Sequence, residues 1–275
     1  MKNHWTHWLK TATRPDEVER VAGIGKLLGL KFDGDEFFGS NFERGLLLRQ
    51  ILRERRPRRV LELGTGRGFG TICMADCVAS EDLDCVIETI DCIHGDKLQE
   101  WPHEKNGHRV RECRALREFW TAEFPELGRR ITRHTGATTD TLISLGRQGA
   151  AFDFIFIDAA HDLRSVFLDL AGALALVAPG GCILMDDFAP LEAFGLATCI
   201  AAHHAKSYFE MIEVIPSEGA IYPTGISEPQ RRSMVFLGKR NGASATFQPS
   251  ALRVLGLRAA GCILEWLYSP SAFRF

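Results

Sequence analysis

Two short acidic clusters carry the densest chemistry in this chain of 275 residues. Asp158-Ala-Ala-His161 sets an imidazole three residues beyond a carboxylate, and Asp186-Asp187 sets two more carboxylates side by side. Three carboxylates brought to one point repel one another unless a counter-ion joins them, so the set reads as a cation site. Oxygen-only ligands select a hard ion, Mg²⁺ first, with Mn²⁺ or Ca²⁺ after it. His161 suits a general base there, because an imidazole has a reference pKa of about 6.5. The plainer alternative is that Asp158 and Asp186 cap the helices that follow them.

A third cluster, Glu62-Leu-Gly64-Thr65-Gly66-Arg-Gly68, ends a short apolar run. Glycines on a tight strand-to-helix turn let a ligand approach the backbone. The spacing excludes two common ligand motifs. A dinucleotide turn needs G-x-G-x-x-G, but the last position is Phe69 counted from Gly64 and Thr71 counted from Gly66. No G-K-[ST] follows, so a P-loop is excluded as well.

These residues need a scaffold that gathers them, and the order of elements predicts one. Val60, Leu61 and Leu63 suit a buried first strand, and a helix starts near Phe69. Residues 84–91 form a second strand ending in Asp91. Ile131–His134 form a third strand, followed by Gly136-Ala137 and a helix over 138–145. Residues 152–158 form a strongly apolar fourth strand, ahead of a helix over 162–176. Pro179-Gly180-Gly181 turns the chain into a fifth strand, Cys182–Asp186, and 209–215 with 233–237 form a closing pair. Near-continuous apolar strands alternating with helices predict an α/β, doubly wound, Rossmann-like and mostly parallel sheet. In such sheets ligands sit beyond the carboxyl ends of the strands. Asp91 falls at one of those ends, where an acid can accept hydrogen bonds from ribose hydroxyls; the plainer alternative is a turn or capping aspartate. His203-His204, on a helix after the fifth strand, read as surface or packing residues.

Glu62-x-Gly64-x-Gly66-x-Gly68 resembles the first motif of class I S-adenosylmethionine-dependent methyltransferases. The acidic set is similar to that of the metal-dependent O-methyltransferases. Within them it looks most like the branch that methylates sugar hydroxyls on macrolide antibiotics. There Asp-x-x-His follows strand four and a pair of acids follows strand five, matching Asp158, His161, Asp186 and Asp187. The resemblance covers residues 59–190 and implies a seven-stranded sheet. It implies S-adenosylmethionine bound by Glu62, Gly64, Thr65, Gly66, Gly68, Asp91 and Asp158, with Gly136 and Ala137 shaping the adenine pocket beside Thr138, which reads equally as the N-cap of the following helix. It further implies Mg²⁺ on Asp158, Asp186 and Asp187, and catalysis by His161 and Asp158 on a hydroxyl of a small molecule, such as a sugar or natural product. The catechol branch has a lysine after its strand-four aspartate; here Leu163 and Arg164 follow His161-Asp162, which points away from a catechol. Two other readings stand beside this one: a metal-free N- or O-methyltransferase, and a binding protein that holds the cofactor without turnover.

Composition narrows the partners. The chain is 45% hydrophobic and 25% charged with a net charge of −2, which argues against nucleic acid as the main partner. The basic run 53–59 reads as a solvated turn into the first strand. Eight cysteines without a C-x-x-C pair read as reduced thiols in a cytoplasmic protein. The N-terminus has no apolar signal core, and residues 252–268 are interrupted by Arg253, Arg258 and Glu265, so no membrane segment is expected. The sequence divides into an N-terminal helical cap over 1–40, a catalytic domain over 41–240 with an insertion near 92–128, and an extension over 241–275. That extension suits packing on its own domain or on a second copy, as in a homo-oligomer.

Overall fold

The structure, a computed structural model, describes residues 14–33, 36–39, 42–188, 193–205, 209–214 and 233–239. Its centre is a sheet of seven strands: β3 (Arg59–Leu63), β4 (Val86–Asp91), β7 (Ile131–Thr135), β8 (Phe152–Ile157), β9 (Val177–Phe188), β10 (Phe209–Val214) and β11 (Ser233–Lys239). Their order across the sheet is β7-β4-β3-β8-β9-β11-β10. β11 pairs antiparallel with both of its neighbours, so the other six strands run in one direction. The chain starts in the middle at β3, moves outward through β4 to β7, and crosses back to β8 and β9. The reversal between β3 and β8 opens the crevice that doubly wound sheets use for ligands.

Burial explains why these segments are strands. In β8 the pattern Phe152-Asp153-Phe154-Ile155-Phe156-Ile157 is buried on both faces, as a central parallel strand must be. One apolar layer sets β3, β8 and β9 against α6 (Thr138–Arg147), α7 (Leu163–Leu176) and α8 (Ala193–Ala205). The opposite layer sets the sheet against α2 (Phe42–Arg55) and α3 (Phe69–Ser80). β9 starts at Val177, five residues before the expected Cys182, because the Pro179-Gly180-Gly181 run is absorbed as an irregularity between the Phe152 and Phe154 pairings. Gly180 takes φ +85 there, which a glycine accommodates without strain.

The insertion adds a hairpin and a helix. β5 (Leu98–Lys105) and β6 (His108–Ala115) pair antiparallel around Asn106-Gly107, whose φ values of 51 and 78 are those of a tight hairpin turn. α4 (Leu116–Glu123) and the single turn α5 (Pro125–Gly128) follow. Trp101 and Phe119 stack with ring centroids 4.3 Å apart. They share a third apolar cluster with Phe69 and Ile72 of α3 and with Val21 and Leu28 from the N-terminal segment. That segment contains α1 (Pro15–Ile24), a π turn over Gly25–Gly29, and the small antiparallel pair β1 (Leu30–Asp33) and β2 (Glu36–Gly39).

Arg56 and Arg58 of the basic run are exposed in the turn into β3, as expected, while Arg53, Arg55 and Arg59 also make contacts. Arg53 pairs with Glu17 at 2.9 Å, Arg59 pairs with Glu88 at 2.5 Å while lying over the Phe152 ring, and Arg55 lies over Phe236. These guanidiniums join α2 and β3 to neighbouring elements through ion pairs and flat stacking. Seven of the cysteines lie among the described residues and all are free thiols, with Cys73, Cys77, Cys182 and Cys199 buried. Cys262 and the extension over 241–275 lie outside the described residues, as do residues 1–13. No described helix is long and apolar enough to cross a membrane.

Candidate active site

The expected cofactor residues collect at the carboxyl ends of β3, β4 and β7, but they act in different ways. Gly64 takes φ +91, and a Cβ there would come within 2.0 Å of the Asp158 carbonyl oxygen. Gly68, also at φ +91, would meet the Trp120 ring at 2.1 Å. Gly66, at φ +53, would meet nothing within 4 Å. Only the middle glycine therefore opens the backbone to a ligand; the outer two are small because protein packs against them.

Glu62 and Thr65 lie beneath this turn. The Thr89 hydroxyl donates to Glu62 Oε2 at 2.8 Å, and the Thr71 hydroxyl donates to the same oxygen. Thr65 Oγ1 lies 2.7 Å from Thr89 Oγ1. Burial pushes the Glu62 carboxyl up to about 8, against the lowering effect of the two threonine hydroxyls. Both residues support the turn from below.

Asp91 braces the same turn from the side. Its Oδ2 accepts from Gly66 N–H at 2.7 Å, and its Oδ1 accepts from Ile93 N–H at 2.7 Å. An ionised carboxylate has about four acceptor positions, so capacity remains for further donors. Gly136 N–H donates to the Asp91 carbonyl at 2.9 Å, which sets Gly136 and Ala137 beside Asp91 at the start of α6. Thr138 neither caps its helix nor faces this cluster; its hydroxyl donates to Asp169 of α7 at 2.5 Å.

Across the switch point lie the acidic residues. Asp158 follows β8, and Asp186 and Asp187 lie near the end of the neighbouring β9. Neither Asp158 nor Asp186 caps a helix; the cap of α7 is Asp162, which accepts from Ser165 N–H at 2.9 Å. Asp158, Asp186, Asp187 and His161 line one small cavity with Met185 and Thr198. His161 Nδ1 lies 3.1 Å from Asp187 Oδ2, and the imidazole is half exposed. Asp187 takes φ 55, an uncommon backbone state for a non-glycine residue.

One residue of this site was not anticipated. Arg44, in the first turn of α2, points one nitrogen between two of the acids: Nη1 lies 2.5 Å from Asp158 Oδ2 and 2.6 Å from Asp186 Oδ2. Its guanidinium also lies 5.6 Å from the Phe69 ring centroid. Burial works against the charged guanidinium, but Asp158 and Asp186 outweigh it and hold its pKa above the ordinary arginine value. Burial raises the Asp158 carboxyl, with Arg44 pulling the other way. The available sequence signal was positional. Arg44 lies four residues before Leu48 and seven before Ile51, on the stripe of α2 that is otherwise apolar and buried.

As arranged, the three carboxylates do not fit a divalent ion. Among the described residues no group of three or more His, Cys, Asp or Glu side chains converges as metal ligands. Two of the acids face a guanidinium nitrogen, and the third pairs with His161. In this arrangement the position between Asp158 and Asp186, where the expected Mg²⁺ would lie, is filled by Arg44.

Comparison with known proteins agrees with this architecture. Residues 61–188, from the first strand to the end of β9, match a family model described as a methyltransferase domain. The chain has the fold of an O-methyltransferase from Bacillus cereus solved in complex with SAH. That pair shows a TM-score of 0.53 and 16% identity over 86% of this chain and 97% of that one. It shares the fold of TomG from Streptomyces achromogenes, an O-methyltransferase involved in tomaymycin synthesis and solved with SAM. There the TM-score is 0.53, with 19% identity over 86% of this chain and 96% of that one. The SAH-bound methyltransferase PaMTH1 from Podospora anserina gives a TM-score of 0.52 and 16% identity over 86% and 94% of the two chains. Over 243 residues the chain is 23% identical to the uncharacterized protein y4gI of Sinorhizobium fredii (strain NBRC 101917 / NGR234). That match takes in 84% of this chain but only 22% of the relative's length. Residues 61–188 thus resemble a methyltransferase domain, and the chain shares the fold of these SAM- and SAH-bound methyltransferases.

Proposed function

We propose that this protein transfers the methyl group of S-adenosylmethionine to a hydroxyl of a small molecule, with His161 as the base. The observation that carries this reading is the half-exposed His161 bonded to Asp187 beside Asp158, across the crevice from the glycine turn. Gly66, Asp91, Gly136 and Ala137 would hold the cofactor, Asp91 as acceptor for ribose hydroxyls and Gly136 with Ala137 beside the adenine. The sulfonium methyl is already activated, so the protein's work is alignment and proton removal. When bound, S-adenosylmethionine would supply an activated methyl group, and His161 Nε2 would take the proton that the acceptor hydroxyl gives up. Asp187 accepts from Nδ1–H and stabilises the imidazolium that forms. A neutral amine can attack before it loses a proton, so a base held in this way favours oxygen over nitrogen acceptors.

The test is transfer of labelled methyl from S-adenosylmethionine to a panel of hydroxylated small molecules, sugars and phenols included. His161→Ala is expected to lower turnover by about 10²–10⁴ while leaving cofactor affinity within about twofold. Full turnover in that variant removes the base role and favours an amine acceptor. A second reading, with Mg²⁺ on Asp158, Asp186 and Asp187, is favoured by one observation: Asp186 Oδ1 is buried without a hydrogen-bond partner. It requires Arg44 to withdraw.

A further inference from the structure

We propose that Arg44 is the resident cation of the acidic strand ends, so that its guanidinium holds the place a divalent ion would take and methyl transfer needs no metal. The inference rests on the methyl-transfer reading for its consequence, but its geometry stands by itself. A single nitrogen, Arg44 Nη1, lies within 2.6 Å of Asp158 and of Asp186, which come from two adjoining strands. A divalent ion ligated by both carboxylates would sit where that nitrogen sits. Two cations held a few ångströms apart in a buried site repel strongly, so one excludes the other.

Three features make the arginine a built part of the site. Its side chain is only 13% exposed, and Phe69 at the start of α3 lies beside the guanidinium. It lies in the first turn of a helix fourteen residues long that contributes Leu47, Leu48, Ile51 and Leu52 to a buried layer, so the side chain starts from a fixed base. The remaining carboxylate, Asp187, pairs with His161 at 3.1 Å. An arginine cannot lose its charge under ordinary conditions, so this counter-ion cannot be titrated or chelated away.

The charge balance has a use. When both carboxylates are ionised, one guanidinium against them leaves one negative charge at the end of β8 and β9, close to where Gly64 packs on the Asp158 carbonyl. That residual charge complements the cationic sulfonium of the cofactor. A divalent ion in the same place would cancel it. Arg44 is thus a positioning residue, holding Asp158 and Asp186 together while keeping the site anionic.

The test titrates Mn²⁺ into the full chain and reads bound ion from the loss of the free Mn²⁺ spin-resonance signal. Wild type is expected to bind no Mn²⁺ below about 1 mM, a limit near −4 kcal/mol. Arg44→Ala, once shown to be folded by near-ultraviolet circular dichroism, is expected to gain one Mn²⁺ per chain with at least tenfold tighter affinity, because the carboxylates lose their partner. Arg44→Lys keeps a charge and is expected to stay unable to bind the ion. Micromolar Mn²⁺ binding by wild type overturns the proposal, whether or not the alanine variant folds. A folded Arg44→Ala that gains no ion overturns it too. Calorimetry with S-adenosylmethionine on the wild type separates the two readings: absent cofactor binding defeats methyl transfer, whereas the Mn²⁺ result bears on Arg44 alone.

Discussion

The three glycines of the turn look equivalent in sequence and are not equivalent in space. At Gly64 an added methyl meets the Asp158 backbone carbonyl, which belongs to the neighbouring strand and cannot swing aside. Gly64→Ala is therefore expected to destabilise the fold by several kcal/mol, through overpacking and the left-handed backbone together. At Gly66 an added methyl meets open space, so Gly66→Ala costs the fold only about 1–2 kcal/mol of backbone strain. The same methyl occupies the space assigned to the cofactor, so affinity for S-adenosylmethionine should fall at least tenfold. Thermal unfolding and calorimetry on both variants check the contrast. A Gly66→Ala protein that binds the cofactor as well as wild type defeats the placement. The glycine turn was legible in the sequence, but not which glycine leaves the backbone open, because the groups packed on the other two are Asp158 and Trp120, distant along the chain.

Elements differed in how clearly the sequence showed them. The strands of the parallel sheet were legible because burial on both faces leaves continuous apolar runs, as in β8. The closing antiparallel pair β10–β11 was also found within two residues at its ends. The hairpin β5–β6 was not, although Asn106-Gly107 is a strong turn signal. The buried residues of its strands are confined to Trp101–His103 and Ala115, and β6 is polar in sequence apart from Val110, Cys113 and Ala115, so few apolar residues mark the alternation. α2 was missed along with Arg44, because a charged residue on the buried stripe interrupts the periodicity that marks a helix. The hairpin and α4 matter to the site through Trp120, whose Nε1–H donates to the Arg67 carbonyl at 3.2 Å while its ring fills the space beside Gly68. Trp120 thus clamps the turn from the insertion. Trp120→Ala is expected to cost about 3–5 kcal/mol of stability and to weaken cofactor binding severalfold. Trp120→Phe keeps most of the packing and should restore stability better than affinity, because the bond to Arg67 is lost. Equal cofactor affinity in wild type and both variants would remove the turn from the insertion's control.

At the scale of the whole molecule, buried acids far from solvent tie stability to pH. Glu62 has its carboxyl raised to about 8 by burial, and Asp169 is raised to about 6 by burial against the Thr138 hydrogen bond. In both, the folded chain holds the proton more tightly than the unfolded chain. Their contribution is complete below the unfolded carboxylate value near 4 and is lost as pH rises, through about 6 for Asp169 and about 8 for Glu62. Glu88 works in the opposite direction. Burial raises it, but Arg59 and His134 outweigh burial and lower its pKa, so its contribution is lost as pH falls. Between pH of about 5.5 and 8 the Glu62 effect dominates, and unfolding free energy is expected to fall by an amount on the order of 3 kcal/mol. Glu62→Gln keeps an acceptor for the Thr71 and Thr89 hydroxyls and removes the titration. Its stability should stay nearly flat across that window, whatever its absolute value. Denaturant unfolding at several pH values measures both slopes. Parallel slopes for wild type and Glu62→Gln would mean that Glu62 is ionised in the folded chain throughout, and that the glycine turn rests on a carboxylate instead of a carboxylic acid.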